Sequence, residues 1–312
     1  MTICLNMIVK NEENIIERML KSVIDIIDFF VICDTGSTDN TIKIIREFFS
    51  KYSHIRGLIA QNKFVNFQDN RNQGLSLCKG MGDYILLLDA DHILSIKNFN
   101  FLSSGADAYS IVQEDNDHSY QNIRLIKNTP DFYYIGYTHE VMQNNNQITI
   151  ESVPKEIINI IDIGDGGSKD YKLERDIKLL KTSIEENPEI SRNYFYLANC
   201  YFSLELLELA EKYYKKRIEK GGWNQEIFYS FYKIGLGKIM ENNHQEAIIS
   251  FLEAYQACPE RCESLYYLRE IYSSLDKNNL SKIFDDLIEK NKDVNTDTFL
   301  FKNKKIYEKL LK

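Results

Sequence analysis

Asp83-Tyr84-Ile85-Leu86-Leu87-Leu88-Asp89-Ala90-Asp91-His92 constrains this chain more than any other stretch. A run of apolar residues follows the Gly82-Asp83 turn signal and reads as a short strand buried on both faces. The strand then runs into two carboxylates one residue apart. Side chains at i and i+2 share one side of an extended backbone, so Asp89 and Asp91 would repel each other. A divalent cation with oxygen ligands relieves that repulsion. The alternative is that the strand simply ends in two solvated turn formers.

The surrounding sequence alternates strand and helix. Thr2 to Val9 is strand-like, and Ile15, Ile16, Met19, Leu20 and Val23 fall at helical spacing with Asn14 as a candidate cap. Phe29 to Cys33 is a second strand, Ile42 to Phe49 a second helical pattern and Gly57 to Ala60 a third strand. Such alternation predicts an α/β fold, a parallel sheet covered by helices. Ligands bind such sheets outside the carboxyl ends of the strands. Three polar clusters fall there: Lys10-Asn11-Glu12, Asp34 to Asp39, and Asp89 to Asp91.

Each cluster has two readings. In Asp34-Thr35-Gly36-Ser37-Thr38-Asp39, Ser37, Thr38 and Asp39 suit helix capping, while Asp34 suits hydrogen bonds to a base or ribose. Gly-rich phosphate loops of the G-x-G-x-x-G and G-x-x-x-x-G-K types are absent here. Phe67 to Gly74 reads as a polar segment before a short helix, Leu75 to Lys79. Within it Arg71 suits a diphosphate or an ion pair with Asp69.

The chain has 312 residues, 44% hydrophobic and 27% charged, room for two domains with their own cores. Its net charge of -8 argues against a nucleic-acid-binding protein. No apolar run reaches the length of a membrane span, and the opening residues read as a strand rather than a cleavable leader. The six scattered cysteines lack zinc-site spacing and read as reduced thiols, which predicts a cytoplasmic protein.

Four stretches in this order resemble family 2 glycosyltransferases: Thr2 to Glu13, Val31 to Asp39, Arg71-Asn72, and Leu88-Asp89-Ala90-Asp91. The resemblance implies a GT-A domain, Rossmann-like with a mostly parallel sheet. It implies a metal-dependent, inverting hexosyltransferase using a nucleotide-sugar, a UDP-sugar above all, with Mn²⁺ or Mg²⁺. Carried over, Asp34 contacts the base, Lys10, Asn11 and Glu12 line the nucleotide pocket with Ser37 and Asp39, and Arg71 approaches the base or diphosphate. Asp89 and Asp91 are the D-x-D pair, with Asp91 the direct metal ligand. Gly136-Tyr137-Thr138-His139-Glu140 resembles one branch of the family, with His139 near diphosphate or metal and Glu140 as general base. Asp115 and Asp117 compete for that role. Where many such enzymes have His-x-Gly, this chain has Asp162-Ile163-Gly164. Asp162 is then a third metal ligand, Asp165 is an alternative, and a plain Gly-rich linker is the other reading.

From Lys169 the chain turns helical. Leu173, Ile177, Leu180 and Ile184 form one face, ended by Asn187-Pro188. Ala198 and Gly235, and Ala210 and Ala247, are offset by 37 residues. Small residues where helices must meet, with aromatics between, resemble degenerate tetratricopeptide repeats, whose period is about 34. The expected organisation is therefore 1–168, a GT-A domain, and 169–312, a helical repeat domain. The acceptor is expected to be a glycan or protein, and the repeats to bind a protein or self-associate. Trp223, after two glycines, suits contact with acceptor or partner. An alternative is an inactive nucleotide-binding protein that acts through its repeats.

Overall fold

The computed structural model describes residues 1–98, 100–115, 119–166, 172–294 and 299–311. The chain forms two compact units, Met1–Lys172 and Leu173–Lys312. The boundary expected at 168, Gly167 and Lys169 lie outside the described residues, as does Asp117.

The first unit begins with β1 (Ile3–Val9), buried almost throughout. In α1 (Ile16–Val23), Ile16, Met19, Leu20 and Val23 are buried at the spacing of one helix face. Each such side chain contributes about 1.5–3 kcal/mol, as an upper bound. Asn14 does not cap this helix. Ile15 occupies the N-cap position without a side-chain bond, and the Ile15 and Ile16 amides donate to the Glu12 carbonyl. Then follow β2 (Phe29–Asp34), α2 (Thr41–Ser50), β3 (Arg56–Gln61), α3 (Phe67–Leu77) and β4 (Tyr84–Leu87). The remaining strands are β5 (His92–Ile96), β6 (Ala108–Glu114), β7 (Ser119–Lys127), β8 (Phe132–Ile135), β9 (Val141–Asn144), β10 (Ile150–Ser152) and β11 (Ile158–Asp162).

Among the described residues the main sheet has nine strands in the order β3-β2-β1-β4-β7-β6-β11-β5, with β10 also paired to β6. The first four are parallel, as expected. Beyond β4 the sheet is mixed: β7 is antiparallel to β4 and β6, and β11 is parallel to β6 but antiparallel to β5. Strand order reverses at β1, which lies between β2 and β4. A crevice at such a switch point is where open α/β sheets bind ligands. The β1 and β2 ends align there, Val9 beside Asp34.

The segment around Arg71 is itself helix. It forms the body of α3 rather than a loop before it, with Asn66 as N-cap accepting from the Asp69 amide at 2.8 Å. Its polar residues hid the helical period because they are used inside the unit. Asn72 donates to the Tyr134 carbonyl at 2.9 Å and accepts from its amide at 2.6 Å. Gln68 accepts from the Gly136 amide at 2.8 Å. These bonds hold the β8–β9 hairpin against α3.

In the second unit α4 (Lys172–Glu186) precedes three helical pairs: α5 (Ser191–Ser203) with α6 (Leu207–Glu219), α7 (Asn224–Met240) with α8 (His244–Ala257), and α9 (Glu263–Ser274) with α10 (Asn278–Asn291). The short α11 (Lys304–Leu310) follows. Gly235 fits the expectation for a small residue at a helix crossing, since a Cβ there would lie 2.7 Å from the Phe251 ring. The Gly221-Gly222 insertion takes φ of +63° and +94°. Buried Arg217 fixes it, donating to the Gly221 carbonyl at 2.6 Å and to Glu226 at 2.7 Å. Trp223 is left 50% exposed.

Candidate active site

The carboxyl ends of β1 and β2 are stitched together by side chains. Asn11, at φ +57°, donates its amide to Ser37 Oγ at 2.9 Å and accepts from the Thr38 amide at 2.8 Å. The Glu12 amide donates to Thr41 Oγ1 at 2.7 Å. Asp39 accepts from the Thr41 hydroxyl at 2.6 Å and from the Glu13 amide at 3.1 Å. Ser37 and Asp39 thus act as ties between the two loops. Buried Asp34 accepts from the Gly36 and Ser37 amides at 3.2 and 3.1 Å, the turn-capping arrangement. Lys10 is exposed at the end of β1.

The second half of the site lies past β4 and is a chain of ions in which Arg71 and Arg124 are buried and Asp89 and Glu140 half-buried. Arg71 reaches from α3 to Asp89 Oδ1 at 2.7 Å and to Glu140. Arg124, on β7, lies 3.4 Å from the other Asp89 oxygen. Both Asp89 oxygens are therefore engaged by guanidinium groups. Burial works against its charge, but Arg71, His92 and Arg124 outweigh it and hold the carboxyl well below the usual carboxylate range. Arg124 also donates to Gln113 Oε1 at 2.8 Å, and Gln113 Nε2 donates to Asp162 at 2.9 Å.

Asp91 is in the opposite position. No Lys, Arg or His ion-pairs with it among the described residues. Burial, then Asp89 and Asp162, push its pKa up to about 6. Pairing of β5 with β11 sets His92 opposite Asp162. Donor atoms of Asp91, His92 and Asp162 lie within 4.8 Å of one another.

His92 is not the best donor of the three. The Asp89 amide donates to its Nδ1 at 3.0 Å, which leaves the proton of the neutral ring on Nε2. Burial keeps the ring neutral, lowering its pKa to about 3. Nε2 lies 3.9 Å from Asp162 and 3.7 Å from Asp89, so the ring positions carboxylates. Two converging oxygen donors, Asp91 and Asp162, suit Mg²⁺ or Mn²⁺. Asp89 lies outside this group. Asp165 is taken by Arg18 in a two-point ion pair at 2.7 and 2.8 Å.

Gly166 closes one side of Asp91. A Cβ there would stand 3.2 Å from Asp91 Oδ2 and 3.6 Å from Glu12 Oε1. The Ile163 amide also donates to the Asp91 carbonyl at 3.1 Å. The residues after β11 are therefore packed against the D-x-D turn.

Glu140 and His139 lie in the β8–β9 connection rather than in a strand, with His139 at φ +53°. Gly136, at φ +110°, is required there, since its Cβ would approach Glu140 Cα at 3.3 Å. The structure thus brings Arg71, Asp89, Asp91, Glu140 and Asp162 together and gathers Asn11, Glu12, Asp34, Ser37 and Asp39 at the neighbouring loops. His92, Gln113 and Arg124 are the residues that sequence reasoning missed. A Gln and an Arg inside apolar strand patterns were the available signal.

A four-stranded parallel core whose strand order reverses at β1, with Asp89 and Asp91 just past the end of β4, has the arrangement on which open α/β sheets bind ligands. Residues 4–152 match the model of glycosyl transferase family 2. Residues 1–172 thus contain a family 2 glycosyltransferase domain. A TPR repeat-containing protein of Synechococcus elongatus is 26% identical over 273 residues, covering 81% of this chain and 66% of that one. The SPbeta prophage-derived glycosyltransferase SunS of Bacillus subtilis is 24% identical over 311 residues, covering 92% and 71%. A crystal structure of MamA aligns with 41% of this chain and 74% of its own, at 19% identity and a TM-score of 0.35, too low to carry an argument. No helix of the described residues is long and apolar enough to cross a membrane.

Proposed function

We propose that this protein transfers a sugar from a nucleotide-sugar, a UDP-sugar above all, to a glycan or protein acceptor, with inversion and with a divalent cation. The observation that carries this reading is the convergence of Asp91 and Asp162 just past the end of β4, next to the Asp89 that Arg71 holds. Asp91 is a half-buried carboxylate without a cationic partner among the described residues, whereas both oxygens of Asp89 meet guanidinium groups. Asp91 and Asp162 would hold Mn²⁺ or Mg²⁺, which when bound supplies charge against the leaving diphosphate.

The chain's own groups do the remainder. The loops at Asn11 and Asp34 form the nucleotide side of the crevice, with Lys10 at its rim. Asp89 orients Arg71 from one side and Glu140 from the other. When Arg71 turns toward donor phosphate, Glu140 is released from its ion pair and takes the proton of the acceptor nucleophile. His139 stands next to it, and Asp115 follows β6 as the other carboxylate in play.

The test is hydrolysis of UDP-sugars without acceptor. The reading expects cation-dependent release of UDP, abolished by Asp91→Ala and strongly reduced by Asp162→Ala. Cation-independent release, or full activity of Asp91→Ala, would contradict it. Nucleotide binding with no turnover of any donor would favour a protein that acts through its repeats alone.

A further inference from the structure

Residues 299–311 lie along the face that α5, α7 and α9, the first helices of the three pairs, present. The Phe301 ring stacks on Phe195 of α5, with centroids 6.3 Å apart, and meets Tyr229 of α7 edge-on at 5.2 Å. Phe299 is buried, with the Arg261 guanidinium 5.0 Å from its ring centroid. Between the two aromatic residues the helices grip main chain. The Leu300 carbonyl accepts from Arg261 at 2.9 Å, and the Leu300 amide donates to Gln225 at 3.4 Å. The Asn303 amide donates to Glu263 at 3.3 Å, and its side chain donates to the Tyr232 hydroxyl at 3.4 Å. Side-chain pockets beside main-chain hydrogen bonds are how folded domains hold an extended peptide.

This face does not need the segment to satisfy its own ions. Arg261 and Glu263 are both buried and form a two-point pair at 2.6 and 3.2 Å, and Arg261 also donates to Gln225 at 2.7 Å. These bonds lie outside the segment. Its departure therefore leaves no buried charge unpaired, which is the event that makes a core ion pair costly to break. The segment itself is held at a cost. Phe301 takes φ +48°, an uncommon conformation for an aromatic residue, and α11, with seven residues, is too short to be stable alone.

We propose that the face of α5, α7 and α9 is a binding site for an extended segment of a partner protein with aromatic side chains two residues apart, and that residues 299–307 occupy it as a resident competitor. The tether from α10 is short, so the resident acts at about millimolar effective concentration. A partner segment binds only as the resident leaves.

Cys262 reports the exchange. It is buried, packs with Phe299, Tyr307 and Leu310, and donates its amide to the Tyr307 hydroxyl at 3.1 Å. Cys200, buried in α5, reports unfolding of the same unit. In the unaltered full chain iodoacetamide should label Cys262 at least about tenfold faster than Cys200. In Phe299→Ala with Phe301→Ala, labelling of Cys262 should quicken further while Cys200 stays protected. That variant should bind a fluorescent peptide of residues 299–311 about 100-fold more tightly than the unaltered chain does, and the peptide should slow labelling of Cys262 again. A peptide carrying the same two substitutions should not bind. Labelling of Cys262 no faster than Cys200 in the unaltered chain would overturn the proposal, because the segment would then be part of the core. So would a variant with Cys200 protected that ignores the peptide or takes the substituted one equally well, or loss of Cys200 protection in the variant.

Discussion

Replacing Asp91 by Asn removes a charge that burial disfavours and that Asp89 and Asp162 repel. The folded pKa of Asp91 is raised to about 6, so the folded state binds the proton more tightly than the unfolded chain does. Its ionisation therefore costs stability. The cost is absent below the unfolded pKa, grows as pH rises toward the folded one, and is complete above it. In chelator-treated protein Asp91→Asn should raise unfolding stability by on the order of 1–3 kcal/mol at about pH 7 and by little at about pH 4. Urea melts at the two pH values measure this. Equal effects at both, or destabilisation at the higher pH, would contradict a cost of ionising Asp91. The D-x-D carboxylates were legible because an apolar strand running into them is a local pattern. His92, Gln113 and Arg124 were not, since their roles arise from pairing of β5 with β11 and of β6 with β7.

Elements carry the next set of consequences. The β8–β9 hairpin holds Glu140 only because α3 grips it through Asn72 and Gln68. Asn72→Ala leaves the backbone amide and carbonyl of Tyr134 without that partner, at a cost of about 1–3 kcal/mol. It should also lower kcat more than donor KM, because it displaces Glu140 and leaves the loops at Asn11 and Asp34 intact. Steady-state kinetics beside a thermal melt separates the two effects; an unchanged kcat in a folded variant would remove Glu140 from the chemistry. Arg71 stood out in the sequence while its helix did not. Six polar residues precede Gly74, and their apolar partners are few, so the 3.6-residue period is silent there. In the helical unit small residues gave clearer guidance. Gly235→Ala drives a methyl against the Phe251 ring, and the α7–α8 pair should lose about 1–3 kcal/mol in a denaturant melt. An unchanged midpoint would mean that the crossing has room to spread.

At the scale of the whole molecule, division into an α/β unit and a helical unit was legible from the change in sequence character. Alternating strand and helix patterns gave the first, and recurring small residues at a fixed offset gave the second. In the mixed half, Ala108 to Val112 and Asn122 to Ile126 read as strands and are β6 and β7, but β5, β10 and β11 were not legible, because they are short and take their places only through long-range pairing. The central claim rests on one local arrangement, half-buried Asp91 beside Asp162, with no Lys, Arg or His ion-paired to Asp91 among the described residues. Calorimetric titration of UDP, GDP and dTDP into the protein, with and without Mn²⁺, tests that claim most directly. The account predicts tight binding of one nucleotide, UDP, only in the presence of the cation, and its loss in Asp91→Ala. Binding of no nucleotide under either condition, or binding indifferent to both Mn²⁺ and Asp91, would contradict it.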